Sequence, residues 1–235
     1  MGDQNTTSVQ QELHHAFALH DFILNHLSRC KPARTERNIF SGALYDLSLE
    51  HAMSIAKLVD LGGYGSAATL IRPSYETLLR GMWAYYSATD GQISAIKGRN
   101  ADFPDAKKLH SHVKRFAPQG VYSVLDVTNQ VIPHTVRHGL THGGLEQIHN
   151  RFDGTTIRCT FGDDVIVGIV RVSNAICVGA ATCMTLQDGS KADDEAIFDE
   201  YFRIMYESSL EIRRRMHEFL AAQPEYAERA ARIVS

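Results

Sequence analysis

Residues 165–186 read V-I-V-G-I-V-R-V-S-N-A-I-C-V-G-A-A-T-C-M-T-L, and this stretch constrains the arrangement of the whole chain. It contains one charged residue in 22 positions and is apolar on nearly every side of a helix. That length would span a bilayer. However, Arg171, Ser173 and Asn174 lie at its centre, where polar groups are costly in lipid, and no aromatic belt or basic cluster flanks it. The stretch therefore predicts a central helix buried by neighbouring helices, without a membrane segment.

The segments that precede this helix also show helical periodicity. Residues 8–27 place apolar side chains at helical spacing: Leu13, Phe17, Leu24 and Leu27. A second helix is predicted to open at Thr35 and to stop at the glycine-rich residues 62–65. A third, capped by Ser66, is predicted to run to about residue 88 with a kink at Pro73.

Two stretches interrupt the periodicity, residues 89–120 and residues 150–163, and we expect them to be irregular or inserted segments. A short helix over residues 105–116 is predicted within the first, and a β-hairpin too short to organise a sheet within the second. The sequence therefore predicts an all-α bundle of about six to seven helices with one irregular middle segment, in a single domain over residues 1–235.

The composition gives no overall attraction to nucleic acid or to an anionic membrane, because the net charge is −3 and the pI is about 6.4. RNA binding would need a local basic patch, which residues 213–215 (R-R-R) could supply. The four cysteines include no C-x-x-C pair. This pattern favours reduced thiols in a cytoplasmic protein.

Residues 137–144 read R-H-G-L-T-H-G-G and carry the main functional hypothesis. Arg137 is a permanent cation with a fork of donors, and His142 titrates near neutral pH. Together they suit RNA cleavage without metal: the histidine moves a proton, and the arginine stabilises the charge on the phosphate. His138 adds a polar group. The alternative is a helix C-terminus, where histidines favour the helix dipole and Gly143 forms the cap.

A metal site is a weaker alternative for the same stretch. His134, His138 and His142 are four residues apart and would share a face of a continuous helix. Two of them can chelate one ion, but the outer pair would be about 12 Å apart at roughly 1.5 Å per residue. Arg137 would place a cation beside the ion, and residues 127–145 contain no carboxylate. We therefore expect no metal and no other cofactor.

The motif R137-H138-G-L-T-H142 resembles that of the HEPN superfamily, R-x(4–6)-H, in which Asn, Asp or His often follows the arginine. The resemblance covers the motif and the helical character. It implies a helical bundle, often dimeric, that acts as a metal-independent endoribonuclease in a toxin or phage-defence setting, with an antitoxin or other regulatory protein as a possible partner. Gly144 departs from the subgroup silenced by a nucleotidyltransferase, which carries Tyr at that position. Some relatives lack nuclease activity, so a non-catalytic binding module using the same cleft stays open.

A second constellation lies in the third predicted helix. Arg72, Glu76 and Arg80 are spaced four residues apart in an otherwise apolar segment. One interpretation is an ion-paired stripe that faces solvent. The other places Arg72 and Glu76 inside, directed towards the loop of His142, as binding residues.

Overall fold

A computed structural model of the chain describes residues 8–117, 148, 150–153, 156–157 and 160–187. These residues form six helices and one pair of two-residue antiparallel strands, which confirms the all-α bundle. The elements are α1 (Ser8–Leu27), α2 (Glu36–Asp60), α3 (Tyr64–Tyr86), α4 (Asp90–Lys97), α5 (Ala106–Phe116), β1 (Phe152–Asp153), β2 (Thr156–Ile157) and α6 (Asp163–Leu186).

Helix α6 is the central helix that the apolar stretch predicted, and it packs against α1, α2 and α3. Among the described helices it alone is long and apolar enough to cross a membrane, and 78% of its most hydrophobic window is buried by protein. The one charged residue of the apolar stretch 165–186, Arg171, pairs through Nε with a carboxylate oxygen of Glu12 on α1 at 2.8 Å. Within α6, burial raises the pKa of the Cys177 thiol, which keeps it protonated as expected of a reduced core cysteine.

Helices α2 and α3 form an antiparallel hairpin around the short turn at residues 61–63. Thr35 caps α2 as predicted, because its hydroxyl accepts a hydrogen bond from the backbone N–H of Asn38. At the centre of the hairpin, the hydroxyls of Ser48 and Ser74 each donate to the other residue's carbonyl oxygen, at 2.8 and 2.9 Å. These reciprocal bonds satisfy two buried hydroxyls and hold the two backbones close together.

Arg37 joins the open end of this hairpin. Its Nη1 donates to the carbonyl oxygens of Ala84 and Ala88, both at 2.8 Å, and its Nη2 contacts the carboxylate of Asp90 at 2.6 Å. The last carbonyls of a helix have no partner within the helix. The guanidinium of Arg37, at the start of α2, therefore supplies hydrogen bonds to carbonyl oxygens at the end of α3.

The start of α3 differs from the prediction. The helix begins at Tyr64 with Gly63 as its N-cap, and not at Ser66. It then continues without interruption through Pro73 to Tyr86.

The prediction that residues 89–120 are irregular was wrong for residues 90–97, which form α4. Thr89 and Gln92 make a capping box, in which each side chain bonds to the other residue's backbone N–H. This cap satisfies backbone N–H groups at the start of α4, and so stabilises a helix that the weak hydrophobic pattern did not reveal. The predicted short helix over residues 105–116 is confirmed as α5, capped by Asp105.

The predicted apolar face of α1 was also wrong in part. Leu13 is buried, but Leu24 is 53% exposed. The buried face includes three polar side chains: Glu12, His20 and His26. Since Glu12 is paired with Arg171, a polar residue takes a position that hydrophobicity alone would assign to a leucine.

Candidate functional site

The structure describes one of the two groups of predicted site residues. Arg137, His138 and His142 lie outside the described residues, as does His134, so their roles stay predictions. Arg72, Glu76 and Arg80 lie on α3, and a site can be built around them.

These three side chains form an ion-paired stripe. Nε of Arg72 donates to one carboxylate oxygen of Glu76 at 2.7 Å, and Nη2 of Arg80 contacts the other at 3.5 Å. The side chains of Arg72, Glu76 and Arg80 are 28, 29 and 37% exposed. The stripe is therefore neither buried nor a freely solvated surface, and a bound molecule could reach it from solvent.

A tyrosine and a histidine lie beside the stripe. Tyr75 is buried, and its hydroxyl lies 2.9 Å from Nε2 of the half-buried His110 on α5. Residues three and four apart are neighbours on a helix surface, so Tyr75 and Glu76 both adjoin Arg72. Helix α5 packs on α3 and brings the imidazole of His110 to the stripe.

An aromatic ring supports the other end of the stripe. The guanidinium carbon of Arg80 lies 5.1 Å from the centre of the Phe103 ring, within the range of a cation–π contact. Phe103 in turn packs edge-on against Trp83 and in parallel with Phe40. The Phe103 ring supports the guanidinium of Arg80, whose side chain is still 37% exposed to solvent.

Arg151 extends the row of cations towards the N-terminal end of α3. A Cβ built on Gly65 would lie 2.6 Å from Nη2 of Arg151, so the guanidinium rests where a side chain would otherwise be. Gly65 precedes Arg72 by seven residues, about two helical turns, and therefore shares its face of α3. The sequence alone gave no indication of a role for Arg151, because it lies 86 positions after Gly65 and belongs to no recognisable motif.

Helix α5 contributes a further group of basic residues. Its eleven residues include four Lys or Arg and no Asp or Glu. Lys107 and Lys114 lie three residues before and four residues after His110, and so flank it on the same side of the helix. Lys108 and Arg115 are on another side, about 150° around the helix axis at roughly 100° per residue.

The side chains described so far on α3, on α5 and at Arg151 form one surface, which we call the cationic face. It consists of Arg72, Tyr75, Glu76, Arg80, Lys107, His110, Lys114 and Arg151.

Two other kinds of site are less well supported among the described residues. A cavity of about 360 Å³ lies beside α4, but Asp102 is the one charged residue among those that line it. It therefore does not suit a phosphate. Within the described ranges, no three His, Cys, Asp or Glu side chains are placed to share a metal ion.

The interior of the bundle holds a contrasting set of polar groups. The second carboxylate oxygen of Glu12 and both side-chain amide atoms of Asn174 are buried and have no hydrogen-bond partner among the described residues. Burial, together with the nearby Lys57, lowers the pKa of His20 to about 4. These groups are sealed within the bundle.

The architecture defines an all-α helical-bundle protein that carries a partly exposed cationic face on α3 and α5. Within this class the chain belongs to DUF6988, a family of unknown function, which matches residues 45–206. This match includes α3, α5 and the stretch from Arg137 to His142. Comparison with curated proteins gives no match, and comparison with solved structures gives none either.

Proposed function

We propose that this protein binds RNA along the cationic face and cleaves it without a metal ion, in the manner that the HEPN resemblance implies. Arg137 and His142 are the proposed catalytic pair, with His138 as an additional polar contact. Arg72 and Arg80, held by Glu76, are the proposed binding residues for the phosphodiester backbone.

The concentration of basic groups on one face is the observation that carries this proposal. The chain as a whole is acidic, with a net charge of −3, so a polyanion needs a local attractive surface. On the cationic face, five Lys and Arg side chains accompany a single carboxylate, Glu76, which is already paired.

The proposed chemistry divides the work between two kinds of group. His142 takes the proton of the ribose 2′-hydroxyl, and the 2′-oxygen attacks the phosphorus. Arg137 stabilises the negative charge that develops on the phosphate. The P–O5′ bond then breaks and the departing 5′-oxygen takes up a proton, which leaves a 2′,3′-cyclic phosphate and a 5′-hydroxyl.

The cellular setting follows from the same resemblance. We propose a cytoplasmic homodimer in a toxin or phage-defence system, restrained by an antitoxin or other regulatory protein. Light scattering of the purified full chain tests the dimer, and a strict monomer under conditions that support cleavage would remove that part of the proposal.

Cleavage of labelled RNA, with and without a chelator, tests the catalytic proposal. We expect cleavage that persists with the chelator, and a decrease of about 10²–10⁴-fold in His142→Ala. Arg137→Lys should also cleave poorly, because a point charge does not reproduce the guanidinium fork. If His142 only caps a helix, its replacement would cost about 0.3–1 kcal/mol of stability and no activity. Activity that disappears with the chelator would instead favour a metal-dependent hydrolase that uses the histidines at positions 134, 138 and 142.

Affinity measurements separate binding from catalysis. Lys107→Gln/Lys114→Gln removes two charges from the cationic face, and Lys108→Gln/Arg115→Gln removes two from another side of α5. If single-stranded RNA binds the cationic face, the first variant should lower the slope of log affinity against log salt by about 1.4, at roughly 0.7 per phosphate contact. The second should leave it nearly unchanged. RNA binding without cleavage would favour the alternative of a non-catalytic binding module.

A further inference from the structure

We infer that the cavity beside α4 is a base-binding subsite of the proposed RNA site, and that Asp102 makes it selective for guanine. The inference rests on the proposed function, because the base would belong to RNA held on the cationic face. It concerns a pocket whose lining residues all belong to the described part of the chain.

The cavity adjoins the end of the cationic face. Phe103 connects the two, because its ring centre lies 5.1 Å from the guanidinium carbon of Arg80 and 6.0 Å from the ring centre of Trp83. Trp83 lines the cavity, and so do Asp102 and Pro104, the chain neighbours of Phe103. A nucleotide carries its base one ribose away from its phosphate. A phosphodiester held by Arg80 would therefore bring its base to this cavity.

The size and the lining of the cavity suit a flat heterocycle. Its volume of about 360 Å³ lies within the roughly 300–1,000 Å³ that is usual for small-molecule sites. The side chain of Trp83 contributes aromatic surface, and small or apolar side chains line the cavity as well: Ala95, Ile96, Ala101 and Pro104. RNA-binding proteins recognise unstacked bases through aromatic contacts and through hydrogen bonds to the edges of the base.

The carboxylate of Asp102 favours guanine over the other bases. Asp102 is exposed, and its side chain makes no ion pair or hydrogen bond with another described residue. An ionised carboxylate can only accept hydrogen bonds. Guanine is the one common base with two adjacent donors, N1–H and the 2-amino group, which match the two carboxylate oxygens. The same negative charge repels a phosphate, so the base and not the backbone would enter the cavity.

Gln92 supplies a donor to complement this acceptor. It also lines the cavity, and its Oε1 accepts a hydrogen bond from the backbone N–H of Thr89. The capping box therefore fixes which end of the amide is the oxygen, and the NH₂ group is the end that can donate to O6 of guanine.

The fluorescence of Trp83 tests the inference, because this residue is the single tryptophan of the chain and lines the cavity. The full-length protein is titrated with the 5′-monophosphates of guanosine, inosine, adenosine, cytidine and uridine. We expect guanosine monophosphate to bind about 10-fold or more tightly than the adenosine, cytidine and uridine nucleotides. Inosine monophosphate, which lacks only the 2-amino group, should bind more weakly than guanosine monophosphate. Inorganic phosphate should leave the emission unchanged.

Variants assign the individual contacts. Asp102→Asn should lose the preference for guanine, because an amide has one acceptor oxygen where the carboxylate has two. Asp46→Asn, which removes the same charge from an exposed position on α2, should keep the preference. Arg80→Gln should weaken the binding of guanosine monophosphate but not of guanosine, which has no phosphate. Ala101→Leu, at an exposed position of the cavity lining, should weaken the binding of all five nucleotides.

The same preference should appear in RNA. Single-stranded uridine RNA that contains one guanosine should bind more tightly than RNA of uridine alone, and Asp102→Asn should remove the difference. If guanosine gives no advantage in RNA that does bind, the cavity is not a subsite of the RNA site and the inference is overturned.

The mononucleotide titrations separate this inference from the proposed function. Equal binding of the five nucleotides, or emission that none of them changes, would overturn the inference even if the protein cleaves RNA. A guanine preference that persists in Asp102→Asn would overturn the role of Asp102. Should Asp102→Asn melt at a lower temperature than wild type, Ala101→Leu decides whether the cavity is the site. If guanosine monophosphate binds selectively but no RNA binds, the proposed RNA function fails and the guanine site remains.

Discussion

Two Arg–Glu pairs in this protein have nearly the same length but different surroundings. Arg72 and Glu76 are 2.7 Å apart on the surface of α3, with side chains that are 28 and 29% exposed. Arg171 and Glu12 are 2.8 Å apart between α6 and α1, and the side chain of Glu12 is only 3% exposed. The first pair belongs to the cationic face, whereas the second, called the sealed pair below, buries its carboxylate in the bundle and leaves the Arg171 side chain 23% exposed.

This difference separates a structural role from a binding role. A buried carboxylate depends on its partner, because water cannot replace the lost contact. A half-exposed pair is screened by solvent and contributes little to stability, so its charges are available to a ligand. The burial of the carboxylate, 3% exposed in Glu12 against 29% in Glu76, therefore distinguishes the two pairs where residue type and distance do not.

Removing one partner of the sealed pair should have the largest effect on stability. In Arg171→Leu, Glu12 stays buried without its cation, and we expect a loss of about 3–5 kcal/mol in the free energy of unfolding. Urea denaturation measures this loss. Glu12→Leu/Arg171→Leu should recover most of it, because no buried charge is left alone. A single variant within about 1 kcal/mol of wild type would show that the pair is not sealed in solution.

The sealed region should also make the protein sensitive to acid through His20. Its pKa is about 4 in the folded state against 6.5 for an ordinary histidine. Below about pH 6.5 the unfolded chain binds a proton that the folded chain does not, so stability falls as the pH decreases towards about 4. The loss approaches about 3 kcal/mol at roughly 1.4 kcal/mol per pH unit.

Unfolding measured between pH 7 and pH 4 tests this expectation in His20→Gln and His14→Gln. His14 is exposed on the same helix. The first variant should have a flatter pH profile than wild type, and the second should keep the wild-type profile. Equal profiles for all three proteins would rule out His20 as the source of acid sensitivity.

Two glycines of α3 extend the comparison to packing. A Cβ at Gly81 would lie 2.5 Å from the buried ring of Tyr45, whereas a Cβ at Gly65 would meet the flexible end of Arg151. We expect Gly81→Ala to lose about 1–3 kcal/mol through overpacking. Gly65→Ala should be neutral or more stable by up to roughly 1 kcal/mol, since alanine favours the helix. Thermal melts that rank the two variants in the opposite order would contradict this picture.

The smallest effect on stability is expected at the open pair. Arg72→Leu should change the free energy of unfolding by about 0–1 kcal/mol, although its pair is as short as that of Arg171. If the cationic face binds RNA, the same variant should bind RNA more weakly, and a filter-binding titration would show this. A large loss of stability together with unchanged RNA affinity would assign Arg72 a structural role.

The sequence predicted those features that depend on neighbours along the chain. The length and apolarity of residues 165–186 predicted α6, the threonine at position 35 predicted the start of α2, and the four-residue spacing from Arg72 to Arg80 predicted their pairing. The cap formed by Thr89 and Gln92 is also a local signal, because the two residues are three positions apart, and it marks the start of α4.

Features that depend on distant partners were not predicted. The burial of Glu12 requires Arg171, which is 159 positions away. The orientation of His110 depends on Tyr75, 35 positions away, and hydrophobic periodicity contains no information on that contact. The sequence shows that α5 is rich in Lys and Arg. Only the packing of α5 on α3 shows which of these residues lie on the same side as the stripe.

The guanidinium of Arg37 also has a consequence for the order in which the chain folds. The turn at residues 61–63 brings the nearest parts of α2 and α3 together at small sequence separation, and such local contacts form quickly. Arg37 and Ala88 are at the opposite end, separated by 51 positions. We expect the hairpin to close from the turn outwards, with Arg37 forming its bonds last. The backbone amides near Arg37 and Ala88 should then exchange with solvent sooner than those around Ser48 and Ser74, and removal of the guanidinium should let the hairpin open from that end.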